Sequence, residues 1–152
     1  MAQAEVLPRT QRPPGRVADP CIMVIFGAAG DLTRRKLIPA LYNLAKVDLL
    51  SHDFAILGIA HNPMSDDDFR KKLSEDIRNY AGKEIDSKIW DWFQQRLYYV
   101  KGDFEDQNVY TQLKTTLAKL DQEHSTRGNY FFYLATAPNF FGPIVENFLP
   151  LD

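Results

Sequence analysis

"IFGAAGDLTRRKLIPALYNL", residues 25–44, leaves an apolar run, crosses two glycines and enters a segment with helical periodicity. The run it ends, "CIMVIFG" (21–27), is short, continuous and rich in branched residues, so it reads as a buried strand. Beyond the turn, Leu32, Lys36–Leu37, Ala40–Leu41, Leu44 and Val47 fall near one face of a helix expected from about Asp31 to Leu49. Pro39 inside that helix lacks a backbone donor and is expected to kink it. Strand, glycine turn and helix, in that order, is the context of a dinucleotide-binding turn.

The chemistry of such a turn is simple. Gly27 lets the chain leave the strand sharply, and Ala28, Ala29 and Gly30 are small enough for backbone N–H groups to approach a pyrophosphate. The helix N-terminus adds unpaired donors and partial positive charge, and Arg34 and Arg35 add formal charge. The fit to G-x-G-x-x-G is imperfect: counted from Gly27, the second and third glycines become Ala29 and Leu32, and Gly30 is extra. No Gly-Lys-Ser/Thr follows, so this is not a nucleotide-triphosphate loop of that kind. The plainer alternative is a tight strand-to-helix turn whose glycines serve only the backbone.

The rest of the chain repeats the pattern. "FAILGIA" (54–60) reads as a second buried strand, and "LYYVKG" (97–102) and "NYFFYLA" (129–135) as a third and a fourth strand. A helix opens after Ser65, a good N-cap with Asp68 three residues on, and carries Phe69, Leu73, Ile77 and Tyr80 inward. "SKIWDWFQQRL" (87–97), "NVYTQLKTTLAKLDQE" (108–123) and "PNFFGPIVENFL" (138–149) read as helices. Trp90 and Phe93 are assigned to the core, as are Val109, Leu113, Leu117 and Leu120. Alternating strands and helices predict an α/β fold: a doubly wound, mainly parallel, Rossmann-like sheet.

Composition limits the function classes. The chain has 152 residues, one domain's worth, and its net charge of -2 argues against a nucleic-acid surface. A single cysteine, Cys21, excludes an internal disulfide and fits a reducing compartment. No run reaches the length of a membrane span or a signal peptide, so a cytoplasmic protein with no membrane partner is expected. Residues 1–20, with four prolines, are expected to be a disordered leader to a nucleotide-binding domain spanning 21–152. No Cys/His cluster has metal-ligand spacing.

The tip of the second strand selects the cofactor in such folds: a carboxylate there binds the ribose hydroxyl of NAD, a cation the 2′-phosphate of NADP. "LGIAHNP" offers His61 and Asn62 and no carboxylate, which disfavours NAD. An imidazole is only partly charged near neutral pH, and a phosphate beside it would draw the proton on.

"GAAGDLTRRKLIPALYNL" resembles the N-terminal signature of the glucose-6-phosphate dehydrogenases, Gly-x-x-Gly-Asp-Leu-Ala/Thr followed by a basic cluster and a Pro-containing helix. The resemblance continues through "FAILGIAHNPMSDDDFRKKL", "YYVKGDFEDQNVYTQL" and "NYFFYLATAPNFFGPIVENF", covering roughly residues 22–149 in order. It implies that Gly27, Ala28, Ala29, Gly30, Asp31, Leu32, Thr33 and Arg34 wrap the pyrophosphate of NADP. It implies that Asp103 and Phe104 lie beside the adenosine half, and that Tyr133 and Pro138 line the nicotinamide side. Members usually carry Arg in the slot of His61, so this chain departs where the 2′-phosphate is held; NAD as an alternative cofactor stays open, with Asn62, Arg34 or Arg35 as compensating contacts.

The family's catalytic His, its Glu-Lys-Pro segment and its sugar-phosphate grip have no counterpart here. His52 and His124 lie in unrelated contexts, so no catalytic residue is assigned. The resemblance therefore implies an incomplete coenzyme domain, ending at Asp152 where a fifth strand is due and lacking the substrate and dimerisation domain. The parent would oxidise glucose 6-phosphate to the 6-phospholactone, feeding the pentose phosphate pathway, as a homo-oligomer assembled through the missing domain. The fragment would bind NADP and turn nothing over. Alternatives are a stand-alone nucleotide-binding or regulatory module, and another reductase family, for which Tyr110-x-x-x-Lys114 matches only by letter.

Overall fold

Four apolar segments form one sheet: β1 (Cys21–Phe26), β2 (Phe54–Ala60), β3 (Leu97–Lys101) and β4 (Tyr130–Leu134). The computed structural model describes residues 17–80 and 85–148. Every pairing is parallel and the order is β3-β2-β1-β4. The chain winds outward from β1 to β3, then crosses back to lay β4 on the other side of β1. The strand order thus reverses between β1 and β4, the place where open α/β sheets bind ligands.

Helices cover both faces. α1 (Ile38–Lys46), α2 (Asp66–Tyr80) and α3 (Ser87–Gln94) pack on one, where Ile25, Ile56, Leu97 and Tyr99 meet Tyr42, Phe69, Leu73, Trp90 and Phe93. α4 (Gln107–His124) and α5 (Phe141–Phe148) cover the other, where Ile22, Val24, Phe26, Leu57 and Ile59 meet Val109, Leu113, Leu117, Leu120 and Ile144. Because alternate strand residues point to opposite faces, β1 and β2 supply both cores, which explains their unbroken apolar runs. The Trp90, Phe93 and α4 core assignments agree with this packing.

The first helix corrects the sequence reading. Residues 31–46 are helical, but Thr33–Leu37 form a π turn, in which the Ile38 N–H donates to the Thr33 carbonyl five residues back. Pro39 follows at the start of α1, so the missing donor and the ring are absorbed by a widened turn rather than a break. One extra residue in a turn rotates everything after it by about 100°. The inward set is therefore Thr33, Ile38, Leu41 and Tyr42. Leu32, Leu44 and Val47, expected on the buried face, are 48%, 39% and 62% exposed.

Other boundaries differ by a few residues. The helix predicted for 87–97 ends at Gln94, and the one predicted for 138–149 begins as a 3-10 turn (Pro138–Phe140) before α5. The Ser65–Asp68 box forms, each backbone N–H donating to the other's side chain at 3.0 and 3.2 Å. Asp86 caps α3 by accepting from the Lys88 and Ile89 N–H groups, and Asp106 caps α4 by accepting from the Asn108 N–H. Residues 1–16 of the expected leader lie outside the described residues; Ala18 N–H already donates to the Leu49 carbonyl at 2.9 Å.

Candidate functional site

The glycine turn sits at the carboxyl end of β1, at the point where strand order reverses. Gly27 has φ +95°, a conformation that L side chains rarely adopt. A Cβ there would lie 2.3 Å from the carbonyl oxygen of Ala135, so the first glycine lets the turn press against the end of β4. The Gly27 and Ala28 N–H groups donate to the Ile59 carbonyl at 2.9 and 3.2 Å. These two amides fasten the turn to β2. The donors left for an anion are those of the following residues at the start of the helix, as a helix N-terminus provides.

The turn is braced from inside. The Gly30 N–H and the Thr33 hydroxyl both donate to the Gly27 carbonyl, at 3.1 and 3.2 Å. Thr33 is fully buried, so its side chain supports the turn from within. Ala28 is also fully buried; it lies over Gly58, where a Cβ would stand 2.6 Å from its own. Ala29 is half-buried, and Gly30, Asp31 and Leu32 are exposed around the mouth.

Arg34 is held by α2. Its Nε and Nη2 donate to the two carboxylate oxygens of Asp76 at 2.7 and 2.8 Å. Asp76 is buried and occupies the apolar stripe between Leu73 and Ile77. An acid on a buried stripe needs a cation, and that is the sequence signal that points to this pair. Arg35 lies 4.0 Å from Asp31, one turn earlier.

A second group of predicted residues surrounds the ends of β2 and β3. His61, Lys101, Asp103, Asp106, Asn108 and Val109 line a pocket of about 370 Å³. His61 is exposed on the loop after β2. That loop is held by Tyr99, whose hydroxyl donates to the Ala60 and Asn62 carbonyls at 3.1 and 2.6 Å. Burial pushes the Tyr99 phenol up to about 12, so it remains a donor at neutral pH. Asp103 accepts from the Glu105 N–H at 2.9 Å.

Phe104, expected beside Asp103, is not among the residues lining this pocket. Its ring meets Phe26 and Phe140 edge-on, with centroids 5.7 and 5.4 Å away, so it ties the β3 loop to the turn after β4. The Tyr110 hydroxyl donates to its carbonyl at 2.5 Å, and burial pushes that phenol up to about 12. Tyr133 is half-buried and packs on the α1–α3 side, while Pro138 is exposed at the start of the 3-10 turn. Of the residues lining the pocket at the β2/β3 ends, only His61 and Asp103 were predicted; Lys101, Gly102, Asp106, Asn108 and Gln112 were missed. Among the described residues no group of three or more His, Cys, Asp or Glu side chains could hold a metal ion, and no helix is long and apolar enough to cross a membrane.

The turn at the β1/β4 switch and the pocket at the β2/β3 ends are where a dinucleotide's pyrophosphate and adenosine would lie in this sheet class. Residues 24–150 match the profile described as "Glucose-6-phosphate dehydrogenase, NAD binding domain". The chain belongs to that family. It is 46% identical over 132 residues to the glucose-6-phosphate 1-dehydrogenase of Chlamydia pneumoniae, a match covering 87% of this chain and 26% of that protein. Against the Bacillus subtilis enzyme it is 35% identical, covering 82% and 24%. A solved glucose-6-phosphate 1-dehydrogenase from Mycobacterium avium superposes with a TM-score of 0.71 at 31% identity, covering 88% of this chain and 27% of that one. A glucose-6-phosphate dehydrogenase solved in complex with glucose-6-phosphate gives 0.75 at 26% identity, covering 87% and 27%. The chain thus spans about a quarter of the length of the dehydrogenases it matches. Within the family fold it supplies the parallel α/β portion described above.

Proposed function

We propose that this domain binds NADP and presents it to a sugar-phosphate site formed by other parts of a glucose-6-phosphate dehydrogenase. The single observation that carries the reading is the Gly27 turn pressed on Ala135 at the β1/β4 switch, in a chain of this family. The residues present fit the cofactor. The turn has no Cβ at Gly27, where it presses on the end of β4, small residues follow, and a helix starts at its mouth.

In this reading the pyrophosphate lies against the Gly27–Arg34 turn and is met by amides at the helix start rather than those of Gly27 and Ala28, with Thr33 and the Arg34–Asp76 pair holding the turn in shape. His61 and Asp103 border the adenosine half, and Phe104 backs it through Phe26 and Phe140. Tyr133 and Pro138 border the nicotinamide side at the end of β4. The bound nicotinamide supplies the hydride acceptor for oxidation at the sugar's C1, giving the 6-phospholactone. The domain's own residues bind and orient it; no side chain here is assigned proton transfer, so the chain alone binds without turnover. The near-neutral charge balance supports a small-molecule ligand over a nucleic-acid surface; the parent is taken as a cytoplasmic enzyme whose subunit contacts lie outside this domain.

Calorimetric titration with NADP+ and, separately, NAD+ tests this. Saturable NADP+ binding, tighter than NAD+, with no NADPH formed from glucose 6-phosphate by the 152-residue chain, is the expected result. Absence of binding to either dinucleotide, or steady NADPH production by this chain, overturns it.

A further inference from the structure

The 2′-phosphate that separates NADP from NAD needs a fixed positive charge near the β2 tip, and the residues first considered for it are otherwise engaged. Arg34 is chelated by Asp76 on α2, and Arg35 lies beside Asp31. Asn62 carries no charge, and it is its backbone carbonyl that accepts the Tyr99 hydroxyl. His61 lines the right pocket.

One more cation opens on that pocket. Lys101 is the last residue of β3 and stands in register with Ala60, the residue before His61. It is exposed and lines the same cavity as His61. Among the described residues it has no carboxylate within ion-pair distance. The two acids bordering the pocket are turned toward their own backbone: Asp103 accepts from the Glu105 N–H at 2.9 Å and Asp106 caps α4 through the Asn108 N–H at 3.0 Å. An ammonium group is a compact charge on a flexible stem, suited to a terminal phosphate that offers three oxygens.

We infer that Lys101, set beside His61 by the Ala60–Lys101 register, is the specificity-determining cation for the 2′-phosphate of NADP in this chain. The inference rests on the dinucleotide reading above and adds a residue to it. A lysine at the end of the neighbouring strand supplies charge that the β2 tip itself lacks.

The test is a pair of titrations on the wild-type chain and on Lys101→Gln, which keeps the stem and removes the charge. The probes are adenosine 2′,5′-bisphosphate against adenosine 5′-phosphate, then NADP+ against NAD+. Lys101→Gln is expected to weaken the two 2′-phosphorylated ligands about tenfold and leave the other two within about twofold. Melting temperature and circular dichroism should be unchanged, because the side chain is exposed. Equal weakening of all four ligands, or no weakening of any, overturns the role of Lys101 while leaving dinucleotide binding standing. A wild-type chain that binds none of the four overturns both.

Discussion

Arg34 and Asp76 join the helix that follows the glycine turn to α2 through two parallel N–H···O bonds of 2.7 and 2.8 Å. The Asp76 side chain is only 8% exposed and the Arg34 side chain 26%. A bidentate guanidinium–carboxylate pair fixes orientation as well as distance. Arg34 lies inside the π turn, Thr33–Leu37, so the pair anchors the segment in which helical phase changes.

Removing one partner leaves the other charge buried. Asp76→Ala is expected to destabilise the fold by about 2–3 kcal/mol, below the ~3–5 kcal/mol of a fully buried pair because Arg34 keeps some solvent. Arg34→Lys should cost less but should still lose the fork geometry. Urea unfolding of the three proteins checks this. If Asp76→Ala unfolds at the wild-type midpoint, the pair is not what holds the two helices.

Gly27→Ala tests the switch point. The substitution places a methyl group against the Ala135 carbonyl at φ +95°. Strain and overlap together should cost about 2–4 kcal/mol. The turn should also lose dinucleotide binding at temperatures where the variant is still folded. Retention of wild-type NADP+ affinity would show that the turn does not touch the cofactor.

His124, at the end of α4, bonds the Tyr98 hydroxyl at 2.7 Å. Burial, then the nearby Arg96 guanidinium, push its imidazole below the ordinary 6.5, with Glu123 opposing and Arg70 and Asp53 the other charges acting on it. The folded state therefore resists protonation that the unfolded chain accepts. This contribution to stability is present above pH 6.5 and is lost as pH falls below it. Unfolding free energy should decline from pH 7 toward 5, and His124→Gln should flatten that decline. An unchanged slope in the variant would assign the decline to other groups.

Three phenols set the alkaline limit. Burial pushes Tyr99, Tyr110 and Tyr130 up to about 12, helped at Tyr110 by Asp103 and at Tyr130 by its bond to Asp121. The unfolded chain loses these protons near 10, so their stabilisation is complete below pH 10 and is lost as pH rises toward 12. Phenolate absorbance should lag the ordinary tyrosine titration and then rise together with loss of helical circular dichroism. Independent ionisation of all seven tyrosines near 10 would contradict this.

The sheet was legible because each strand is an apolar run of five to seven residues bounded by turn residues. The fold class followed from their alternation with helices, and the phosphate turn from its place after β1. The phase of the first helix was not legible. A regular 3.6-residue period assigns Leu41, Leu44 and Val47 to the core; Leu41 is buried there, but the π turn ahead of Pro39 brings Ile38 and Tyr42 in and turns Leu44 and Val47 out. Lys101 was hidden for another reason: as the last letter of a strand it looks like an edge charge. Its neighbourhood with His61 comes from a register between strands whose partners are 41 residues apart, Ala60 and Lys101.

β4 has β1 on one side and, among the described residues, no strand on the other. It carries Phe131 and Phe132, 54% and 41% exposed, one on each face of that edge. A flat apolar edge strand is a template for pairing with another chain. The 152-residue chain is therefore expected to self-associate as its concentration rises, in a process that salt does not suppress. Phe132→Lys places a charge beside the open edge and should shift association to higher concentration, with β1 pairing and melting temperature little changed because the side chain is partly solvated. Sedimentation velocity across a concentration series decides it. A monomer throughout the series, or a variant that associates as the wild type does, would place the exposed phenylalanines outside any contact.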